Sequence, residues 1–556
     1  MTPAKTEPRR LGLLRALGMV VALAAPVFAP DALFKFLQPG YAVVLSPLAV
    51  AAAMLLAALI VLARSRAAGR AFIALVFVLQ ATQLAHHRYF GVFYSAFDIE
   101  LLTKELRDTW LATIDLLPLL APPLLISGAC ALLALLSFDA LSARVVPVRR
   151  GWLQRTALAA AVLVLAIPFV QAVGSSTSQR FQPNMMQLSV KNGLYSSAYF
   201  LGRRLRVALG KSREFPVYEA YRVGELETAD EVRAKPRNVV LLMGESTSYL
   251  HMGLFGYARD TTPDLDPYAQ DPAFIGIRAL SSSVSTRSSL TLFYNLIYEP
   301  DNALSIRESE HSLYRLAKRH GFVTTYITTQ QNPGGLSYAF SQGDIDHWRD
   351  TRDMGDMPGE HDDRLLKALQ ALGLDYGKPN FITLHMRSAH SPYVENYPRG
   401  QARFPDEGVG AHERQVNSYD NSILYTQRVI ADIYRALKRL ERPFYIFYIP
   451  DHGEVLGKDA RYGHNTLNLD DAMVPFLFYG IGVPQAEIDA LRARLGCLTN
   501  HYLVGQEIAR ALGFVIENPN ERADEYFLNG IDAFGEAGFL RYRLSEQRAQ
   551  LCRRAP

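Results

Sequence analysis

Cysteine is scarce: the chain has three in 556 residues, at positions 130, 497 and 552. With no Cys-x-x-Cys pair, a thiolate zinc knuckle is excluded. Cys130 falls within an apolar run, while Cys497 and Cys552 can pair only if they face an oxidising compartment, and their spacing leaves that open. There is no internal repeat and no coiled-coil heptad stretch, which excludes a solenoid. Net charge is +4 with no long basic block, so no nucleic-acid partner is expected.

What the chain does have is apolar residues, 49% of the total, concentrated at the front. Residues 41–63 and 116–138 carry no charged residue, and at about 1.5 Å per residue each crosses a hydrocarbon core of about 30 Å. Shorter runs at 16–30, 71–85 and 156–173 extend through their flanks, giving five expected spans. Lys5, Arg9 and Arg10 before the first run also fit a cleaved signal peptide, an alternative that leaves the later topology unchanged. Arg64, Arg66 and Arg70 lie in one loop and Arg144, Arg149 and Arg150 in another, whereas 97–115 is net acidic. Positive-inside reasoning therefore places those loops in the cytoplasm and everything after about Gly174 outside. The expected organisation is a transmembrane domain over 1–174, a membrane-proximal arm over 175–235 without firm elements, and a catalytic domain over 236–556.

Beyond Pro236, short apolar runs alternate with amphipathic stretches such as Ser422–Leu440, the pattern of an α/β domain with a mostly parallel central sheet flanked by helices. Expected strands are 238–243, 323–328, 381–386, 444–449 and 475–479. Two of these runs end in candidate ligands. Asn238-Val-Val-Leu-Leu-Met leads into Gly244-Glu245, and Phe444-Tyr-Ile-Phe-Tyr-Ile-Pro450 leads into Asp451-His452-Gly453-Glu454. Ligands of α/β sheets collect at the carboxyl ends of strands, and two carboxylates with an imidazole suit zinc with one position left for a substrate or hydroxyl oxygen. The Ser281–Ser289 run before an apolar helix supplies that hydroxyl at Thr286, at a helix start whose N–H groups and dipole favour phosphate. His390 and His464 are the candidates for holding phosphate or moving a proton.

These residues, with Gly256-Tyr257-Ala-Arg259-Asp260-Thr-Thr-Pro263, His390-Ser-Pro-Tyr393 and Tyr419-Asp-Asn-Ser-Ile423, resemble the membrane-bound phosphoethanolamine transferases of bacterial envelopes, within the alkaline phosphatase and sulfatase superfamily. The resemblance implies an inner-membrane multi-pass protein with an alkaline-phosphatase-like periplasmic domain. It implies zinc held by Glu245, Thr286, Asp451 and His452, a phosphoethanolamine group carried on Thr286, and phosphate or a second zinc at His390 and His464. Phosphatidylethanolamine is the implied donor. Lipid A transferases of this kind have a disulfide near the nucleophile, and none is available here. Thr328-Thr-Gln-Gln-Asn332 and 381–393 look more like the branch that modifies lipopolysaccharide core sugars or related glycans, so a core sugar is the expected acceptor. Alternatives are lipid A as acceptor, a phosphoglycerol transferase using phosphatidylglycerol, a hydrolase using water, and a non-catalytic receptor.

Overall fold

A computed structural model describes residues 9–37, 47–61, 65–90, 106–142, 156, 159, 218–300, 311–330, 339–355, 359–531 and 537–552. The chain divides into two compact units.

The first unit contains helices α1 (Arg9–Leu37), α2 (Pro47–Val61), α3 (Arg66–Phe90), α4 (Leu106–Asp115) and α5 (Leu117–Ser142). Two of them, over Arg66–Phe90 and Leu117–Ala140, are long and apolar enough to cross a membrane; α1 carries a shorter apolar run, Gly18–Phe34. The helix expected over 71–85 is thus longer than its apolar core, because Gln80, Gln83 and the His pair lie on a helix that continues to Phe90. The expected fifth span, 156–173, lies outside the described residues apart from 156 and 159. Among the described residues of this unit, a buried polar pair joins two helices: Gln80 Nε2 donates to Asp31 Oδ2 at 2.6 Å and to the Val27 carbonyl at 3.1 Å. An unpaired amide in apolar surroundings would be costly, so this pairing ties α3 to α1.

The second unit is an α/β domain around an eight-stranded sheet. Its strands are β1 (Asn238–Gly244), β2 (Phe274–Leu280), β3 (Val323–Thr328), β4 (His347–Arg349), β5 (Asn380–His385), β6 (Phe444–Pro450), β7 (Met473–Ile481) and β8 (Leu498–Asn500), in the spatial order β8-β2-β7-β6-β1-β5-β3-β4. The sheet is mixed: β7 runs antiparallel to both β6 and β2, and every other pairing is parallel. All five expected strands are present, and the run at 475–479 is the reversed one. Apolar runs show burial on both faces but not direction, so reversal was not legible.

The continuous Val/Leu run of β1 has a simple cause. Val239, Leu241 and Met243 point into one core and Val240 and Leu242 into the other, so both faces are covered. A long helix, α6 (Ala411–Lys438), covers the second face through Tyr419, Ile423, Ile430, Ile433, Tyr434 and Leu437. It begins well before the expected Ser422, since the polar segment ahead of that residue is helical and largely buried.

The arm expected to lack firm elements is corrected in its described part. Arg222–Glu225 is a strand paired antiparallel with Phe514–Glu517, and Ala229–Ala234 is a helix whose Thr228 and Glu231 form a capping box. The strand depends on a partner almost three hundred residues away in sequence, which local pattern cannot supply. Residues 175–217 lie outside the described set. Cys497 and Cys552 form a disulfide with Cα atoms 6.0 Å apart.

Candidate metal and phosphoryl-transfer site

Register assembles the site. β1 lies between β5 and β6, with Gly244 opposite Pro450 and Met243 opposite both Ile449 and His385. One residue further on, Glu245 and Asp451 therefore emerge side by side, and the Asp451 amide donates to the Gly244 carbonyl at 3.2 Å. β3 ends in line with β5 at Thr328 and His385, which brings Gln330 to the same edge. Gln330 Nε2 donates to Glu245 Oε2 and to the Met386 carbonyl, both at 2.8 Å.

The turn after β1 is held tightly. Ser246 adopts φ 47° and its hydroxyl donates to Glu245 Oε1 at 2.8 Å. The Tyr419 hydroxyl donates to the Ser246 carbonyl at 2.7 Å and accepts from the Ser248 amide at 2.8 Å. Next to it, Asp420 is fully buried and accepts from Tyr257 and Arg259, each at 2.9 Å, with His251 Nδ1 at 2.7 Å. The motifs at 256–263 and 419–423 thus interlock and brace the turn that carries Glu245.

After β6, Asp451 Oδ1 accepts from the backbone N–H groups of Ser246 at 3.0 Å and His452 at 2.8 Å, while its Oδ2 is buried without a hydrogen-bond partner. His452 Nδ1 donates to the Gly453 carbonyl at 2.9 Å, which leaves the Nε2 lone pair facing the cluster. That Nε2 lies 3.3 Å from Asp451 Oδ2, 3.7 Å from Glu245 Oε1 and 3.2 Å from Thr286 Oγ1. Gly453 is required by space: a Cβ there would stand 2.8 Å from the Met473 carbonyl oxygen.

Thr286 is the first residue of helix α7 (Thr286–Tyr294). Its half-buried side chain sits where the helix presents unpaired N–H groups.

Glu245, Asp451 and His452 form one trio able to hold a metal ion, and His452, Glu454 and His464 form a second. In the latter, His464 Nδ1 lies 2.8 Å from Glu454 Oε2, the Tyr393 hydroxyl donates to Glu454 Oε1, and the His464 and His452 rings are 4.0 Å apart. His390 joins neither trio among the described residues. Its ring Nδ1 is bonded to the Ser391 carbonyl, and Asn396 Nδ2 donates to its own carbonyl at 2.7 Å. His385 is buried within β5 and bonded to the Tyr326 hydroxyl at 2.6 Å.

The electrostatics suit a cation. Burial, and then the neighbouring Asp451 charge, push Glu245 well above the usual carboxylate range, and burial pushes Asp451 up as well. Burial also raises Glu454, to about 8, and lowers His452 and His464 to about 4. Three buried carboxyls and two neutral imidazoles with an orphaned carboxylate oxygen are a donor set that a divalent ion would satisfy. A separate groove of about 430 Å³, lined by Lys367, Arg428 and Arg439 among others, shares no residue with this cluster.

Sequence reasoning missed three contributors. Gln330 was noted only within a motif, without its bond to Glu245. Asp362, fully buried, accepts from the backbone amides of Arg387 at 3.0 Å and Ser388 at 2.9 Å and from the hydroxyls of Thr329 and Ser388, which fixes the loop bearing His390. His501 bonds to the end of β6. Each lies far in sequence from the residue it supports, and no local signal marked it.

Residues 237–502 match the sulfatase family. This region is a sulfatase-family domain. The chain is 29% identical over 238 residues to phosphoethanolamine transferase EptC of Escherichia coli K12, covering 40% of this chain and 41% of that protein. It is 28% identical over 231 residues to Kdo(2)-lipid A phosphoethanolamine 7''-transferase of the same strain, covering 40% and 39%. The matches thus span about two fifths of the length of these relatives. In structure it is similar to the integral membrane protein lipooligosaccharide phosphoethanolamine transferase A of Neisseria meningitidis, with TM-score 0.59 and 19% identity over 91% of this chain and 96% of that one. The resemblance to phosphoethanolamine transferases read from the motifs is borne out by these relatives.

Proposed function

We propose that the protein transfers phosphoethanolamine from phosphatidylethanolamine to an envelope glycan or lipopolysaccharide, with a core sugar as acceptor, through a phosphothreonine at Thr286. The observation that carries this reading is the Thr286 hydroxyl, 3.2 Å from His452 Nε2 at a helix N-terminus beside two buried carboxylates. Glu245, Asp451, His452 and Thr286 would hold one zinc ion, and His464, with Glu454, offers a second position. When bound, zinc supplies positive charge that lowers the pKa of a nearby hydroxyl and offsets charge developing on phosphoryl oxygens.

The chain's own groups do the rest. Gln330 and Ser246 orient Glu245, the Gly453 carbonyl fixes the His452 tautomer, and the first-turn N–H groups of α7 face the phosphate. Thr286 Oγ1 gives up its proton and attacks phosphorus of the donor diester, the P–O bond to diacylglycerol breaks, and the glycerol oxygen takes up a proton. An acceptor hydroxyl then displaces Thr286 and gives up its proton, for which His390 and His464 are the proposed carriers. The core-sugar preference rests on 328–332 and 381–393 and on the absence of cysteine near Thr286.

The same reading makes 1–174 a five-span inner-membrane anchor, 175–235 the connecting arm and 236–556 the periplasmic catalytic domain. Support comes from two membrane-length helices and from the disulfide, which belongs to an oxidising compartment. The test is intact-protein mass spectrometry after incubation with zinc and phosphatidylethanolamine or phosphatidylglycerol. A phosphoethanolamine adduct is expected on the wild type and not on Thr286→Ala. An adduct from phosphatidylglycerol alone would replace the donor, and an adduct retained by Thr286→Ala would remove Thr286 as nucleophile.

A further inference from the structure

His501 lies outside both metal-binding trios yet touches both elements that must meet at the reacting centre. It opens the helix His501–Ala511, directly after β8, and is buried. Its Nε2 stands 2.8 Å from the Pro450 carbonyl, the last residue of β6 before Asp451. A carbonyl only accepts, so Nε2 carries the proton and Nδ1 is an acceptor. Two hydroxyls, of Ser282 and Ser289, each lie 3.3 Å from that Nδ1. Each hydroxyl has one proton and a carbonyl as its other acceptor, Ser289 that of Asp451 and Ser282 that of Ser289 at 3.4 Å, so the two serines and the ring share one hydrogen-bond cluster. On the helix side the Phe293 ring meets His501 edge-on at 5.1 Å between centroids.

The contacts close a loop. Pro450 and Asp451 belong to the strand end that delivers Asp451 and His452, whereas Ser289 and Phe293 belong to α7, whose first residue is Thr286. The two elements also meet directly, through Thr286 with His452 and Ser289 with Asp451, and the His501 contacts add to that tie. Such bracing matters because a misplacement of about 1 Å can cost about a hundredfold in rate.

We propose that His501 is a positioning residue that, through Ser282 and Ser289, fixes the Thr286 hydroxyl against Asp451 and His452. This rests on the reading in which Thr286 is the nucleophile. His501→Leu keeps the side chain's bulk and removes both ring contacts. Ser289→Ala removes the hydroxyl link to the Asp451 carbonyl, and His501→Gln restores one donor and one acceptor at similar spacing.

The experiment measures diacylglycerol release from phosphatidylethanolamine vesicles by the full-length chain, with zinc content and melting temperature recorded in parallel. Expected is a fall in kcat of about ten- to a hundredfold for His501→Leu, with KM within about twofold and zinc retained. His501→Gln should recover most of the rate, and the double variant His501→Leu/Ser289→Ala should be no slower than the slower single one, because both cut one chain of contacts. Multiplying losses, a loss confined to KM, or wild-type turnover in His501→Leu would each overturn the proposal. If His501→Leu does not fold, Ser282→Ala takes its place, and an unchanged kcat there overturns it equally. A wild-type chain that releases no diacylglycerol would bring down the functional reading itself, a result visible before any variant is compared.

Discussion

Zinc uptake should depend steeply on pH, because the two carboxyls of the first trio hold their protons unusually long. Glu245 and Asp451 are both buried and both pushed above the ordinary carboxylate range. A divalent ion must displace those protons to use their oxygens. Each displaced proton is worth about 1.4 kcal/mol per pH unit, so two are worth about 2.7 kcal/mol, on the order of a hundredfold in affinity per unit. His452 adds nothing to the slope above about pH 5, since burial has lowered it to about 4 and it is already neutral.

The sign for the metal-free protein is opposite. Its raised carboxyls keep protons that the unfolded chain has released, so stability present below the ordinary carboxylate pKa is lost as pH rises through the folded values. Zinc should reverse that loss. The assay strips the metal, then titrates zinc against a chromophoric chelator from about pH 5 to about pH 6.5, the window below the raised values. Asp451→Asn removes one proton from the count and should reduce the slope to about tenfold per unit. A flat affinity in the wild type across that window would refute the reasoning, because it would mean the carboxyls were already ionised.

Replacing both Cys497 and Cys552 by serine frees a cross-link with a sequence separation of 55, which loop-closure entropy values at about 4 kcal/mol. Denaturant unfolding should show that loss while zinc content stays unchanged, since neither cysteine touches the cluster; a loss under about 1 kcal/mol would contradict it. Asp420→Asn weakens the acceptor shared by His251, Tyr257 and Arg259 beneath the Glu245 turn. Arg259 is about a third exposed, so the cost should be moderate, about 2–3 kcal/mol, with weaker zinc binding as the accompanying sign. Full zinc affinity in Asp420→Asn would show that the interlocked motifs do not brace the ligand.

By itself the sequence determined a good deal here. Val239 to Met243 and Phe444 to Ile449 are apolar without alternation because both faces of their strands are covered, so burial wrote itself into a local run, and the residue after each run had to emerge at the sheet edge. The type of chemistry was equally local: two carboxylates, an imidazole and a hydroxyl at a helix start are recognisable by residue type and spacing. Tertiary structure alone decided which of those candidates meet. Parallel register put Glu245 beside Asp451 and left His390 outside both trios, and antiparallel β7 reversed a strand whose composition matched its neighbours. The bracing of the site by Gln330, Asp362 and His501 was likewise invisible, because a buried hydrogen bond depends on a partner brought near by the whole fold, and nothing in a residue's own neighbourhood along the chain records where that partner will be.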